Sequence, residues 1–403
     1  MTKMALEGVK VLEYAQFVAG PYCSKLLADL GAEVIKVEKP GVGDEARRRG
    51  PFPNDIPHPE RSGLFLYLNT NKMGITLNVE TATGKEVFME LVKWSDILVE
   101  DKQPEVLKKL GLDYESLKRV NPTLITTCVT PFGQTGPYRD YKAYNLNVCH
   151  SGLLSYFVPD APPERAPVKA GGLEGDYLGG LNAALATLAA LYGRRGTGLG
   201  QMIDVSIQET LISLQRVWAI GYINEKMDMF KILTQVGSTA MGGQMRCKDG
   251  YITATFAEDR QWASFVKLLG DPGWAKDEKF NTLFSRAMHS QEIEPYISEW
   301  MMNHTKSEIY HRGQAVNCPI VPVNSPDEVV NDEQLKARGF FAEVDHPKVG
   351  KIRYPSAPYQ FSETPWAVNR PAPLLGQHNA EVYCSRLGST TEDLVKMREA
   401  GII

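Results

Sequence analysis

Val9-Lys10-Val11-Leu12-Glu13-Tyr14, a loop through Ala19-Gly20-Pro21, the run from Tyr22 to Leu30, Gly31, and Ala32 to Val37 together decide the fold. The two branched, apolar runs predict strands, and the stretch between them predicts a helix that Gly31 closes as a C-cap. A strand, a helix and a second strand in that order make a Rossmann-like opening. Its turn lacks G-x-G-x-x-G, so dinucleotide binding is not signalled.

The same alternation continues outward. Gly84 to Lys93 predicts a helix, Asp96 to Val99 a strand, Pro104 to Leu110 a helix and Leu124 to Val129 a strand. Alternating strands and helices predict an α/β fold with a mostly parallel sheet covered on both faces. The glycine-rich turn Gly193 to Gln201 follows a helix, so it reads as a C-cap and tight turn before a strand at Met202 to Ser206. From about Lys226 the character changes. Cys247 to Thr255 predicts a hairpin on Asp249-Gly250, and a Trp-, Met- and charge-rich helical stretch runs from Gln261 to His311. Pro319 to Pro322 begin a return that ends in a helix from Thr391 to Gly401. The expected division is 1–225 for a large domain, 226–322 for a small α+β domain and 323–403 for a return to the large one.

At 403 residues the chain suits two domains. A formal net charge of -4 gives nucleic acid or an anionic membrane no global attraction. The six cysteines are scattered without a CxxC pair, which argues against a zinc site or a disulfide scaffold. Met1 to Glu7 carry no apolar signal core and no run reaches membrane-spanning length, so the expected compartment is the cytoplasm.

Gly175-Asp176-Tyr177-Leu178-Gly179-Gly180 leads into a long helix of small residues. Small residues let a backbone or ligand come close, and a helix N-terminus favours negative charge. Asp176 therefore reads either as an N-cap or as an ionised, reachable carboxylate nucleophile. Other chemistries lack their signatures. The seven histidines show no HExxH or paired Cys/His spacing, so no metal site is expected. There is no GxSxG elbow and no P-loop. Lys39, Lys72, Lys109 and Lys142 follow strand ends or lie in loops, where ligands of open α/β sheets bind. Each reads as a solvated surface lysine or as a point charge for a phosphorylated ligand.

At these residues the chain resembles the family III CoA-transferases almost end to end. The carriers are Leu6 to Glu13, Ala19-Gly20-Pro21, Leu30 to Gly41, Asn71-Lys72, Gly111 to Glu115, Asn121 to Ile125, Phe132 to Pro137, Gly175-Asp176-Tyr177 and Thr197 to Gln201. The resemblance implies CoA and acyl-CoA as substrates, with no prosthetic group. It makes Asp176 the nucleophile, passing through a mixed anhydride and an aspartyl-CoA thioester. It places Lys39, Lys72, Lys109 and Lys142 against CoA, with Phe17 and Ala19 lining the entry. It also implies an interlocked dimer of ring-like monomers, or pairing with a paralogous subunit, in which a large Rossmann-like domain is built from both chain ends.

The chain departs from that pattern at three places. Relatives carry Asn-Phe-Arg-Pro-Gly where Asp101 to Glu105 stand, and Gly-Tyr-Asp where Ala143-Tyr144-Asn145 stand. Only Gly242-Gly243 remain of a glycine run that flaps over the aspartate in the formyl-CoA branch. Gly50 to Glu60 and Asn69 to Thr76 are similar to the benzylsuccinate subgroup. Two alternatives remain open on the same fold: an acyl-CoA racemase using a His/Asp pair, with His150 as candidate base, and a CoA-binding subunit without catalysis.

Overall fold

The computed structural model describes residues 4–156, 166–169, 171–226, 242–256 and 258–403. They fall into two compact units, Met1–Ser155 with Lys169–Gln215 and Ala337–Ile403, and Tyr156–Val168 with Arg216–Lys336.

The first unit is built on a six-stranded parallel sheet. Its strands are β1 (Lys10–Tyr14), β2 (Glu33–Glu38), β3 (Lys72–Thr76), β4 (Ile97–Glu100), β5 (Ile125–Thr130) and β6 (Met202–Ser206). They lie in the order β3-β2-β1-β4-β5-β6, so the order reverses between β1 and β4 and opens a crevice at their carboxyl ends. Side chains alternate between faces. Val11, Val34, Ile97, Val99 and Ile125 pack on one side with α1 (Ala19–Ala28). Leu12, Ile35, Met73, Ile75 and Leu98 pack on the other with the helix Ala82–Trp94. Both faces are covered, which is why the strands read as near-continuous apolar runs.

The first helix begins three residues earlier than the sequence predicts. Ala19-Gly20-Pro21, expected as loop, are its first turn. Proline is tolerated there because a first-turn N–H has no intrahelical partner to lose. Gly20 is required by contact, since a Cβ would lie 2.3 Å from that of Ala15.

All six strands come from Lys10 to Ser206; the carboxyl-terminal return joins the unit in another way. The free edge of β3 has backbone donors that need partners. His378 Nδ1 accepts from Gly74 N at 3.0 Å and Asn379 Oδ1 from Thr76 N at 2.9 Å. Tyr383 donates its hydroxyl to Thr76 O, and Ile402 and Ile403 sit in the core. Side chains from the return thus complete the edge without adding a strand.

The second unit carries a three-stranded antiparallel sheet, Gly242–Cys247, Gly250–Thr255 and Ile320–Pro322, covered by helices Asp259–Leu268, Ser290–Met302 and Lys306–Ala315. It is the smaller α+β part. Its hairpin turns on Lys248-Asp249, because Cys247 pairs with Gly250. Gly242 and Gly243 are the first two paired residues of that hairpin, at φ 99° and 121°; residues 227–241 lie outside the described residues.

Candidate active site

Asp176 sits in the first turn of a 24-residue helix, α2 (Glu174–Thr197), which packs along α1. The packing depends on missing side chains. A Cβ on Gly180 would stand 2.4 Å from Ala19 O, and one on Gly179 2.8 Å from Ile207 Cγ1. Gly180→Ala is therefore expected to cost about 1–3 kcal/mol. Its urea midpoint should fall; a wild-type midpoint would mean that α1 and α2 slide apart freely.

Asp176 is not the N-cap. Leu173 holds that position without a side-chain bond, and Asp176 is the third helical residue. Nor is its pKa lowered, as a helix N-terminus alone would make it. It is 8% exposed, and burial pushes its pKa from 3.8 up to about 6. The Asn145 amide and the Lys169 ammonium pull the other way but do not cancel the burial. Oδ2 has no hydrogen-bond partner among the described residues. A carboxylate with a raised pKa and an oxygen left open is suited to attack, since it is anionic above pH 6 but poorly solvated.

Around it stand residues of α3 (Asn145–Ser151). Asn145 and Cys149 face inward and are buried, whereas His150 is exposed on the outer side. The helix Ile207–Leu214 closes the opposite flank through Ile207 and Leu211.

The candidate lysines separate into two kinds. Lys72 neither follows a strand nor lies in a loop; it opens β3 and is fully buried. Its ammonium meets Glu13 Oε2 at 2.8 Å, Pro21 O at 2.8 Å and Asn69 Oδ1 at 3.0 Å. An ammonium has three protons, so none is left for a phosphate. Lys72 is corrected from ligand contact to part of a buried ion network. Lys36 completes that network, bonding Glu13 Oε1 and Asp44 Oδ2, both at 2.6 Å.

Lys39, Lys109 and Lys142 are exposed. Lys39 lines a cleft of about 240 Å³ at the carboxyl ends of β1, β2 and β4, together with Gln16, Asp44, Asn78 and Lys102. Lys109 lies on the helix Pro104–Leu110, and Lys142 lies three residues before α3. Phe17 is half-buried at φ 65°, with its N–H donated to Asp44 Oδ1 at 2.9 Å. Gln16 N donates to Asp101 Oδ2 at 2.6 Å, so two carboxylates pin the loop that borders the cleft. Ala19 is buried where α1 meets α2, and its carbonyl faces Gly180.

The sequence reading missed Glu13, Lys36, Asn145 and Lys102. Glu13 and Lys36 did leave a signal, since each is a charge set inside an apolar strand. Asn145 left only its departure from the relatives' Gly-Tyr-Asp, because its place beside Asp176 comes from a helix that packs on α2 only in the folded chain. Among the described residues no group of His, Cys, Asp and Glu could hold a metal ion, and no helix is long and apolar enough to cross a membrane.

Known proteins match this arrangement over its whole length. A family model described as CoA-transferase family III covers residues 6–379. A formyl-CoA:oxalate CoA-transferase of Bradyrhizobium sp. (strain ORS 278) is 34% identical over 427 residues, covering 100% of this chain and 98% of that protein. One from Rhodopseudomonas palustris (strain BisA53) is 33% identical over 428 residues, with 100% and 98% covered. Among solved structures, a CAIB/BAIF family protein from Brucella suis superposes with a TM-score of 0.82 at 29% identity, covering 96% of this chain and 100% of that one. A Mycobacterium tuberculosis protein in an orthorhombic crystal form gives 0.81 at 26%, covering 94% and 99%. The family model over residues 6–379 and relatives matched across the whole chain lead to one conclusion: the chain belongs to CoA-transferase family III.

Proposed function

We propose that this enzyme moves CoA from an acyl-CoA to a carboxylic acid by covalent catalysis at Asp176. The observation that carries the reading is the buried, open Oδ2 of Asp176 in the first turn of α2. The carboxylate attacks the thioester carbonyl; the C–S bond breaks and CoA leaves as thiolate, with the acyl group on Asp176 as a mixed anhydride. The thiolate then attacks the aspartyl carbonyl, the anhydride C–O bond breaks, and the donor acid departs as carboxylate. An acceptor carboxylate attacks the resulting aspartyl thioester, and the same steps run in reverse. One thioester replaces another, so the exchange is nearly isoenergetic and needs no ATP.

Lys39, Lys109 and Lys142 are the proposed CoA contacts, with Lys39 at the switch-point cleft beside Lys102. Phe17 and Ala19 would border the acyl-CoA entry. The relatives' names make formyl-CoA and oxalate the first pair to test, and benzylsuccinate with succinyl-CoA the second. A racemase needs a base beside the substrate α-carbon; His150 is exposed while Asp176 is buried, which favours transfer. Transfer is assayed with each pair, and deuterium wash-in at the α-carbon is followed with succinyl-CoA in the absence of acceptor acid, since formyl-CoA has no α-carbon; together the two readouts separate the readings. CoA transfer without wash-in supports the proposal, and wash-in without transfer contradicts it.

The expected dimer, or a pair with a paralogous subunit, is supported by Leu181, Leu185 and Tyr192, which stand exposed along α2. Light scattering on the purified chain should give twice the monomer mass. The six cysteines stand as free thiols, in keeping with a cytoplasmic enzyme.

Attack requires the anion, so kcat/KM is expected to fall about tenfold per unit as pH drops below about 6, where Asp176 takes up its proton. A profile flat from pH 5 to pH 8 would contradict an ionising nucleophile at this position.

A further inference from the structure

Asn145 is the first residue of α3 and is buried beside Asp176. Its Oδ1 accepts the thiol of Cys149, one turn along the same helix, at 3.5 Å. With Oδ1 engaged, Nδ2 turns toward the foot of α2, where a Cβ at Gly175 would stand 3.1 Å from it. Gly175 therefore makes room for the amide. Nδ2 and Asp176 Oδ2 are both buried, and neither meets a partner of good hydrogen-bond geometry among the described residues.

We propose that Asn145, oriented by the Cys149 thiol, is the positioning residue that holds Asp176 for attack, and that its being an amide sets the lower pH limit of the reaction. The inference rests on Asp176 as nucleophile. An amide donor stabilises the carboxylate form yet carries no charge at any pH. A carboxyl group in its place would compete for one proton, and the two would titrate as a pair.

The other groups around Asp176 do not replace this role. Lys169 from the segment 166–169 acts in the same direction as the amide. Burial raises the Cys149 thiol and holds Tyr177 at about 12, so both stay neutral near pH 7. Tyr22 of α1 meets Tyr177 edge-on at 4.9 Å, and Glu174 is exposed. His150 is exposed on α3, and the helix Ile207–Leu214 presents Ile207 and Leu211.

The test reads the Asp176 carboxyl directly by carbon NMR titration of aspartate-labelled protein, assigned by its absence in Asp176→Asn. Asn145→Asp should raise the titration midpoint by about one unit or more, and Asn145→Ala should raise it as well. Cys149→Ala should follow Asn145→Ala, and Cys149→Ser, which keeps a donor, should follow wild type. The acid limb of kcat/KM should move with each midpoint. If Asn145→Asp fails to fold, Asn145→Ala and Cys149→Ala carry the same readout. Midpoints equal to wild type in folded Asn145 variants would overturn the proposal. Activity surviving in Asp176→Asn would instead overturn the assignment of the nucleophile, so the two failures are distinguishable.

Discussion

Asp176→Ala should lose CoA transfer by at least ~10⁴-fold while the protein stays folded, because no other group can carry the anhydride and the thioester. Asp176→Asn should be equally inactive, since an amide does not attack a thioester at a useful rate. The stability of these variants carries a second sign. Folding raises the carboxyl from 3.8 to about 6, so between those values the native state binds its proton more tightly than the unfolded chain does. Above pH 6 the buried anion costs stability. Asp176→Asn should therefore melt higher than wild type at pH 8, with the gain fading as pH falls through about 6 toward 4. An inactive variant that is also less stable at pH 8 would point to a structural aspartate.

Glu13→Gln is the second large effect. Glu13 is fully buried on β1 between Lys36 and Lys72, and its carboxylate also accepts Ser24 Oγ at 2.5 Å. Burial alone would raise its pKa; the two ammoniums more than reverse that and hold it at about 2. Removing the charge leaves buried lysines facing one another, at a cost of about 3–5 kcal/mol by denaturant titration. Replacing Glu13 and Lys72 together by Met should recover part of it. The same ion pairs predict stability that is present above pH 4.5 and lost as pH falls from there toward 2. A Glu13→Gln protein within 1 kcal/mol of wild type would mean that water reaches the network.

The sheet was legible where strands are apolar on both faces, as in Val9 to Tyr14 and Leu124 to Val129. β3 was missed because Lys72-Met73-Gly74-Ile75-Thr76 is short and carries a lysine and a glycine. Both have tertiary causes. Lys72 meets Glu13 from another strand, and a Cβ on Gly74 would stand 2.8 Å from Pro373 Cγ. Distance along the chain also hid the role of His378 and Asn379, which bond strand residues about 300 positions away. The motif Gly175-Asp176-Tyr177 is legible in sequence. The raised pKa of Asp176 is not legible there, because the helix terminus is visible in sequence and burial is not. Lys72 looked like a ligand contact for the same reason, its acidic partner lying 59 residues earlier.

The most direct test is to quench the enzyme with acid during turnover of formyl-CoA with oxalate, or of succinyl-CoA with benzylsuccinate, and to map bound CoA by peptide mass spectrometry. The account predicts CoA in thioester linkage on the peptide holding Asp176, released by hydroxylamine and missing in Asp176→Ala. CoA found on another residue, or transfer at full rate with Asp176 replaced, would contradict it.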